Sequence, residues 1–400
     1  MISEVVLRGK VVTEDEVIDD GIVVVTGDTI TYAGAAKEYL GNAELPPVSG
    51  DYILPGLVDI HNHGGGGASF PDATDEQTVR TAAAEHLKHG TTTLLASTVT
   101  ASREVLLQRA ELLGRLTKEG VIDGMHSEGP FLSLKAKGAQ SPDFIIDGDP
   151  QLVRDMAAAA GGALKTMTVA PEIPGVAGPG GAAEALIEVG AIPSLGHTAC
   201  TQAEAEVLID QVTAQLAGTG KTMTVTHMFN GMPSLHHRTP GPLAACIPAA
   251  TEGRLIAELI CDGVHIDPGL IRSMQTIIGS YNIAFVTDAM AAAGMPDGEY
   301  QLGPMAVVVG GGVARLATSD GSEGAIAGGT SHLIDQIRIA VGAGVPLVDA
   351  VRSASATPAR ALGFTDVGSL KPGKKANLLI TDQNLTPKKI YKKGSPVGIS

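Results

Sequence analysis

Tryptophan is absent from the 400 residues, and aromatic side chains together make up 3% of the chain. That scarcity excludes an aromatic stacking platform for single-stranded nucleic acid, which needs a series of rings. Cationic residues are also in deficit: 28 Lys and Arg stand against 43 Asp and Glu, a net charge of −15 with His neutral. No basic tract is present to follow a phosphodiester backbone, so nucleic acid is not expected as a partner. An anionic small molecule is not excluded, but a few local donors must hold it against an unfavourable overall field. The three cysteines, Cys200, Cys246 and Cys261, make no CxxC pair and no even framework. Disulfide staples and a thiolate zinc knuckle are therefore not expected, and a cytoplasmic location is. The first residues lack the basic and apolar segments of a secretory leader, and no run approaches the roughly 18 apolar residues of a membrane span. No membrane association is expected.

What the chain has in plenty is small aliphatic residues, with 51 glycines for turns. Residues 1–50 read as short strands at 5–7, 22–26 and 29–32, separated by Gly and Asp turns. From residue 53, apolar β-branched runs alternate with Ala-rich amphipathic stretches, as parallel strands covered by helices require. Eight such strands are expected, at 53–61, 91–100, 121–128, 164–171, 192–197, 223–230, 255–265 and 282–288. Helices are expected at 75–89, 103–118, 151–160, 180–189, 201–215, 268–278 and 331–341, with a last one near 347–362. Strand-like text returns at 376–381 and 389–391. The expected fold class is α/β: a (β/α)8 TIM-like barrel over residues 53–363, with a small β-sandwich domain formed by the N- and C-terminal segments, 1–52 plus 364–400. Gly310, Gly311 and Gly312 read as a hairpin turn rather than a phosphate cradle, since no helix start follows.

The apolar runs end repeatedly in His, Glu or Asp. His61 and His63 close the first; residues i and i+2 of a strand face one side, so both imidazoles can point into a barrel mouth at one metal. The glycines at 64–67 then let backbone approach a ligand closely. Glu128 ends the third strand, His197 the fifth and His227 the sixth. Singly, these have ordinary readings: surface loop histidines, a solvated acid, satisfied core histidines. Together, one Glu and two His from separate strand ends form a three-ligand N/O set with open positions, as a catalytic metal site requires. Asp288 ends the eighth strand, where a carboxylate can take a proton from an activated water and deliver it to a leaving group; its ordinary reading is a turn or cap residue. Such donors accept Zn, Fe, Mn or Co, so the expected cofactor is a divalent metal cation. Arg238 and His265 suit a phosphate by type, the one a charged fork and the other a donor that strengthens when protonated. Cys261 reads as strand core, His236 and His237 as a solvated loop pair or as ligands, and His86, His89 and His332 as structural side chains on helices.

Taken in order, residues 55–64, 128–131, 196–198, 227–230, 262–265, 287–289 and 327–330 resemble the amidohydrolase superfamily, and within it the deacetylases of N-acetylated sugar phosphates. The likeness spans essentially the whole chain, and residues 357–363 and 368–374 match the superfamily generally. The resemblance implies hydrolysis of the N-acetyl amide of a small-molecule amino-sugar phosphate, N-acetylglucosamine 6-phosphate, in amino-sugar catabolism or recycling. N-acetylgalactosamine 6-phosphate or an N-acyl amino acid are alternative substrates, and a non-catalytic sugar-phosphate binder is a further alternative. It implies that Glu128, His197 and His227 hold the principal metal and that Asp288 is the catalytic acid/base. Substrate contacts are implied at Ala139, Gln140, Asn230, Gly231, Arg238, Asp262, His265, Ile326, Ala327 and Gly328. A homodimer is implied too, in which a phosphate contact can come from the neighbouring subunit.

Two departures from the family pattern stand out. Members with one metal often replace the first-strand histidines, whereas His61 and His63 are kept here, so one or two metals per subunit are expected, with two favoured. Where the family frequently has a His thought to polarise the substrate carbonyl, this chain has Gln140, whose amide can donate but is never cationic. A second metal acting as a Lewis acid on that carbonyl would couple the two departures.

Overall fold

The structure is a computed structural model that describes residues 4–319 and 322–398. Eight short parallel strands form its centre: β1 (Leu57–Asp59), β2 (Thr91–Thr98), β3 (Gly124–Glu128), β4 (Leu164–Val169), β5 (Ile192–Leu195), β6 (Met223–Val225), β7 (Leu255–Leu259) and β8 (Ile283–Phe285). Each pairs with its neighbour in chain order. Just past their ends β8 and β1 also meet, through Asp288 N–H to His61 O at 2.9 Å and His63 N–H to Ala289 O at 2.7 Å. The ring is a nearly closed barrel, and residues just past its strand ends share one mouth.

The covering helices start where polar caps precede apolar runs. Thr201 and Glu204 make a reciprocal capping box at the head of Gln202–Leu216, and Asp267 caps Pro268–Ile278, which has proline in its first turn. The helix Leu243–Thr251, which has Pro248 inside it, has no counterpart among the expected ones. The expected last helix is two, Leu347–Ser353 and Ala356–Ala361. Among the described residues no helix is long and apolar enough to cross a membrane.

The first expected strand also divides. Tyr52–Pro55 pairs with Leu378–Thr381 in a second sheet, while Leu57–Asp59 belongs to the barrel. Gly56 separates them, and a Cβ there would stand 2.2 Å from Thr92 Oγ1. The second sheet joins seven strands from both ends of the chain in continuous hydrogen bonding. Its core is aliphatic, with Val11, Val23, Val25, Ile30, Ile53, Leu378 and Ile380 packed together. After β8 a three-stranded sheet follows, Gly298–Leu302, Met305–Gly310 and Val313–Leu316, with the glycine turn where it was expected. Its Leu302, Val307 and Ala314 pack on Val99, Met290 and Ala327 and so anchor one wall of the mouth.

Of the four glycines after β1, Gly65 and Gly66 lie against the helix Glu76–Leu87. Gly64–Gly65 pairs with Ala68–Ser69, and a Cβ on Gly65 would lie 2.7 Å from His86 Nε2. Next to it Glu85 Oε1 meets His332 Nε2 at 3.0 Å, Lys88 approaches Glu85 Oε2 at 2.6 Å, and His332 Nδ1 faces Asp335 at 3.2 Å. Glu85, His89 and His332 are near enough to share an ion, but the two rings stack 3.6 Å apart, so their in-plane lone pairs do not converge. The cluster is structural. Burial pushes His332 down, yet Asp335 and Glu85 outweigh it and raise its pKa above the ordinary 6.5. Glu85, raised by burial but more strongly lowered by His332 and Lys88, falls from 4.5 to about 2. The His332 contribution to stability is complete below pH 6.5 and lost as pH rises through its raised value. The Glu85 contribution is present above 4.5 and lost as pH falls through about 2. His332→Ala is therefore expected to cost about 3 kcal/mol near pH 6, and less at alkaline pH. Denaturant unfolding of both proteins across that range checks it; a pH-independent difference would show that His332 is uncharged.

Candidate metal centre

Six ionisable residues converge at the mouth, none more than 8% exposed. His61 and His63 leave β1 on one side with their Nε2 atoms 3.1 Å apart. His197 and His227 follow β5 and β6, also 3.1 Å apart at Nε2. Glu128, the last residue of β3, joins the two pairs. Its Oε1 lies 2.9 Å from Nε2 of both His197 and His227, and its Oε2 lies 3.1 Å from His63 Nε2. Asp288 adds Oδ1 at 3.2 Å from His63 and 3.4 Å from His61. Backbone conformation helps to aim these groups, since His197, His227 and Asp288 have φ of 45°, 28° and 47°, in the region that side-chain-bearing residues rarely adopt.

These donors form two groups, Glu128 with His197 and His227, and His61 with His63, Glu128 and Asp288. A tetrahedral ion bound at about 2.0 Å has donor–donor edges of roughly 3.3 Å, close to the separations seen here. Imidazoles and carboxylates facing one another in a buried site need either protons or a cation between them, so the residues fit a metal. One orienting contact is already made: His197 Nδ1 donates to Ala136 O at 2.8 Å, which leaves the Nε2 lone pair toward the group.

The electrostatics agree. Burial lowers the proton affinity of His61, but Asp288 and Glu128 outweigh it and raise its pKa well above 6.5. His63 is raised by the same two carboxylates, and His197 by Glu128. Glu128 is held well below the usual carboxylate range despite burial, chiefly by His197 and His61. Asp288 falls to about 2, because His61 and His63 outweigh its burial. A metal binding among these groups competes with protons for the same lone pairs.

The groups floor a cavity of about 240 Å³ whose walls include Ala139, Gln140, Asn230, Gly231, His265, Ile326 and Gly328. Asp262 stands behind His265, its Oδ2 2.7 Å from Nδ1, while its Oδ1 accepts the N–H groups of Val264 and His265. Asp262 raises the pKa of His265 against the effect of burial. Ala327 is fully buried beside the cavity rather than in its lining. Arg238 lies outside it, on an exposed loop with His236 and His237. Gln140 is turned to Glu128, donating Nε2–H to Oε2 at 2.6 Å. The cysteines are free and buried, and burial pushes the Cys261 thiol far up, as strand core requires.

Two neighbours of the site were not anticipated. Glu258 is 2% exposed and its Oε2 lies 3.5 Å from His61 Nδ1. A carboxylate within the apolar run of β7 was the available signal, since buried acids are rare without a partner. His126 packs its ring 4.4 Å from that of His61 and hydrogen-bonds Ser97 and Thr168. It shares a strand face with Glu128 by the two-residue period.

Comparison with known proteins places this geometry in context. The model of the amidohydrolase family matches residues 52–397. The N-acetylglucosamine-6-phosphate deacetylase of Lysinibacillus sphaericus is 32% identical over 352 residues, 86% of this chain and 85% of that protein. The N-acetylgalactosamine-6-phosphate deacetylase of Escherichia coli O157:H7 is also 32% identical, over 354 residues, 86% of this chain and 87% of that one. Among solved structures, an aspartate-to-alanine mutant of the Mycobacterium smegmatis N-acetyl-D-glucosamine-6-phosphate deacetylase, in complex with N-acetyl-D-glucosamine-6-phosphate, superposes with a TM-score of 0.88. It is 35% identical, and the match covers 98% of this chain and 99% of that one.

Proposed function

The chain belongs to the amidohydrolase family, and on that footing we propose that it hydrolyses N-acetylglucosamine 6-phosphate to glucosamine 6-phosphate and acetate. The observation that carries the reading is the convergence of His63, His197, His227, Glu128 and Asp288 on the floor of one cavity, with His61 buried just behind them. Glu128, His197 and His227 hold the principal divalent metal, and His61 and His63 with Glu128 offer a second position. When bound, the cation supplies Lewis acidity toward the amide carbonyl and acidifies water; Zn, Fe, Mn and Co all suit these donors.

Asp288, ionised at neutral pH, takes a proton from the attacking water as the C–O bond forms. It then protonates the amine nitrogen as the C–N bond breaks, so acetate keeps the oxygen and the sugar keeps the nitrogen. His265, whose affinity for a proton Asp262 raises, supplies a donor on the cavity wall. Among the described residues that line the cavity there is no Lys or Arg. A phosphate dianion calls for more positive charge than that, which supports a homodimer in which Arg238, exposed on its loop, completes the anion site of the neighbouring subunit. Three free, buried cysteines fit a cytoplasmic location.

The test is acetate release from N-acetylglucosamine 6-phosphate, N-acetylgalactosamine 6-phosphate and unphosphorylated N-acetylglucosamine, before and after chelation. Chelator-sensitive release from the phosphorylated sugars is expected, with the glucosamine epimer preferred. In Arg238→Ala, KM for them should rise by about 10-fold or more. Release insensitive to chelation would sink the metal-dependent reading, and sedimentation as a monomer would sink the dimer.

A further inference from the structure

Gln140 stands on the loop after β3, 2% exposed, with both ends of its amide engaged. Its Oε1 accepts the backbone N–H of Thr100 at 2.8 Å, and its Nε2 donates to Glu128 Oε2 at 2.6 Å. Chemistry fixes this orientation, because turning the amide over would set an oxygen against a carboxylate and an NH2 group against an N–H. Thr100 also donates its hydroxyl to the Glu128 carbonyl at 3.2 Å. Backbone and side chain of Glu128 are thus braced together from the loop that leaves β2.

That bracing matters because Glu128 divides its oxygens, Oε1 to His197 and His227 and Oε2 to His63. The terminal torsion of a glutamate is broad, and this division needs one setting of it. We propose that Gln140 is a positioning residue that holds the Glu128 carboxylate in the setting serving both ligand groups, rather than polarising the substrate carbonyl. The inference rests on the metal-dependent reading given above. A neutral amide suits the task, since it orients the oxygen without bringing a second cation to compete with the metal for it.

The test compares the parent, Gln140→Met and Gln140→His, each reconstituted with zinc, by metal content across a chelator titration and by kcat and KM for acetate release. Methionine fills the same space without a donor. It is expected to lose zinc at a chelator concentration about 10- to 100-fold lower than the parent. Its kcat falls while KM stays within about twofold. Gln140→His, whose neutral ring also carries one donor and one acceptor, is expected to restore zinc retention. Unchanged zinc retention in Gln140→Met with a raised KM would overturn the proposal and make Gln140 a substrate contact. Loss of retention that histidine does not restore would overturn it as well, because the effect would then be one of packing. A parent that releases no acetate, yet retains zinc only with a donor at this position, would overturn the proposed reaction and leave the role of Gln140 standing.

Discussion

Asp288→Asn is expected to lower kcat by about 10³-fold, equivalent to roughly 4 kcal/mol of transition-state stabilisation, with KM close to the parental value. The substitution preserves shape and one oxygen but removes the base. Asp288 is at the junction of two roles, because its Oδ1 lies 3.2 Å and 3.4 Å from the first-strand histidines as well as facing the cavity. Metal analysis separates them. A variant that keeps its metal while kcat collapses has lost proton transfer, whereas one that loses metal in step with activity has lost a ligand. Hydrolysis at a tenth of the parental rate or faster would remove Asp288 from the mechanism.

Glu128→Ala is expected to empty the site. Both ligand groups pass through this carboxylate, and among the described residues it is the acid that meets the rings of both His197 and His227. Without it, His197 and His227 are left as two neutral donors with no carboxylate to complete the set or balance the charge of the cation. Metal content should fall below about one tenth of the parental value and activity to background, since losing the activated water alone is worth several kcal/mol. His61→Asn is the contrast, expected to leave the His197 and His227 group loaded. If Glu128→Ala retained one full equivalent of metal, the shared-carboxylate arrangement would be wrong.

Much of this site was legible in the order of residues. His61, His63, Glu128, His197, His227 and Asp288 each end an apolar run, and in a parallel barrel every strand ends at the same face, so their convergence follows from topology alone. What was not legible depends on contacts between distant segments. Gln140 reads as a wall residue until the Thr100 N–H, 40 positions earlier, is seen to orient its amide. Arg238 has the right chemistry for phosphate, but no periodicity tells whether its loop folds into the mouth or away from it. Gly56 looks like one more turn residue inside an apolar run, and only the different strand partners of the residues on its two sides show that the chain changes sheets there. The helix around Pro248 goes against a local rule that packing overrides, with Cys246, Ala249 and Ala250 all buried against the barrel.

The positive φ angles at His197, His227 and Asp288 set evolution and engineering at odds. Glycine, and to a lesser degree asparagine, adopts that backbone more comfortably, by about 1 kcal/mol or more at each position. A screen that rewards heat resistance alone would therefore drift toward those residues at the three places proposed to hold the metal and move the proton. Thermostable variants that stay active have to be sought among the outer helices and the terminal sheet, and the mouth is best kept constant during any such selection.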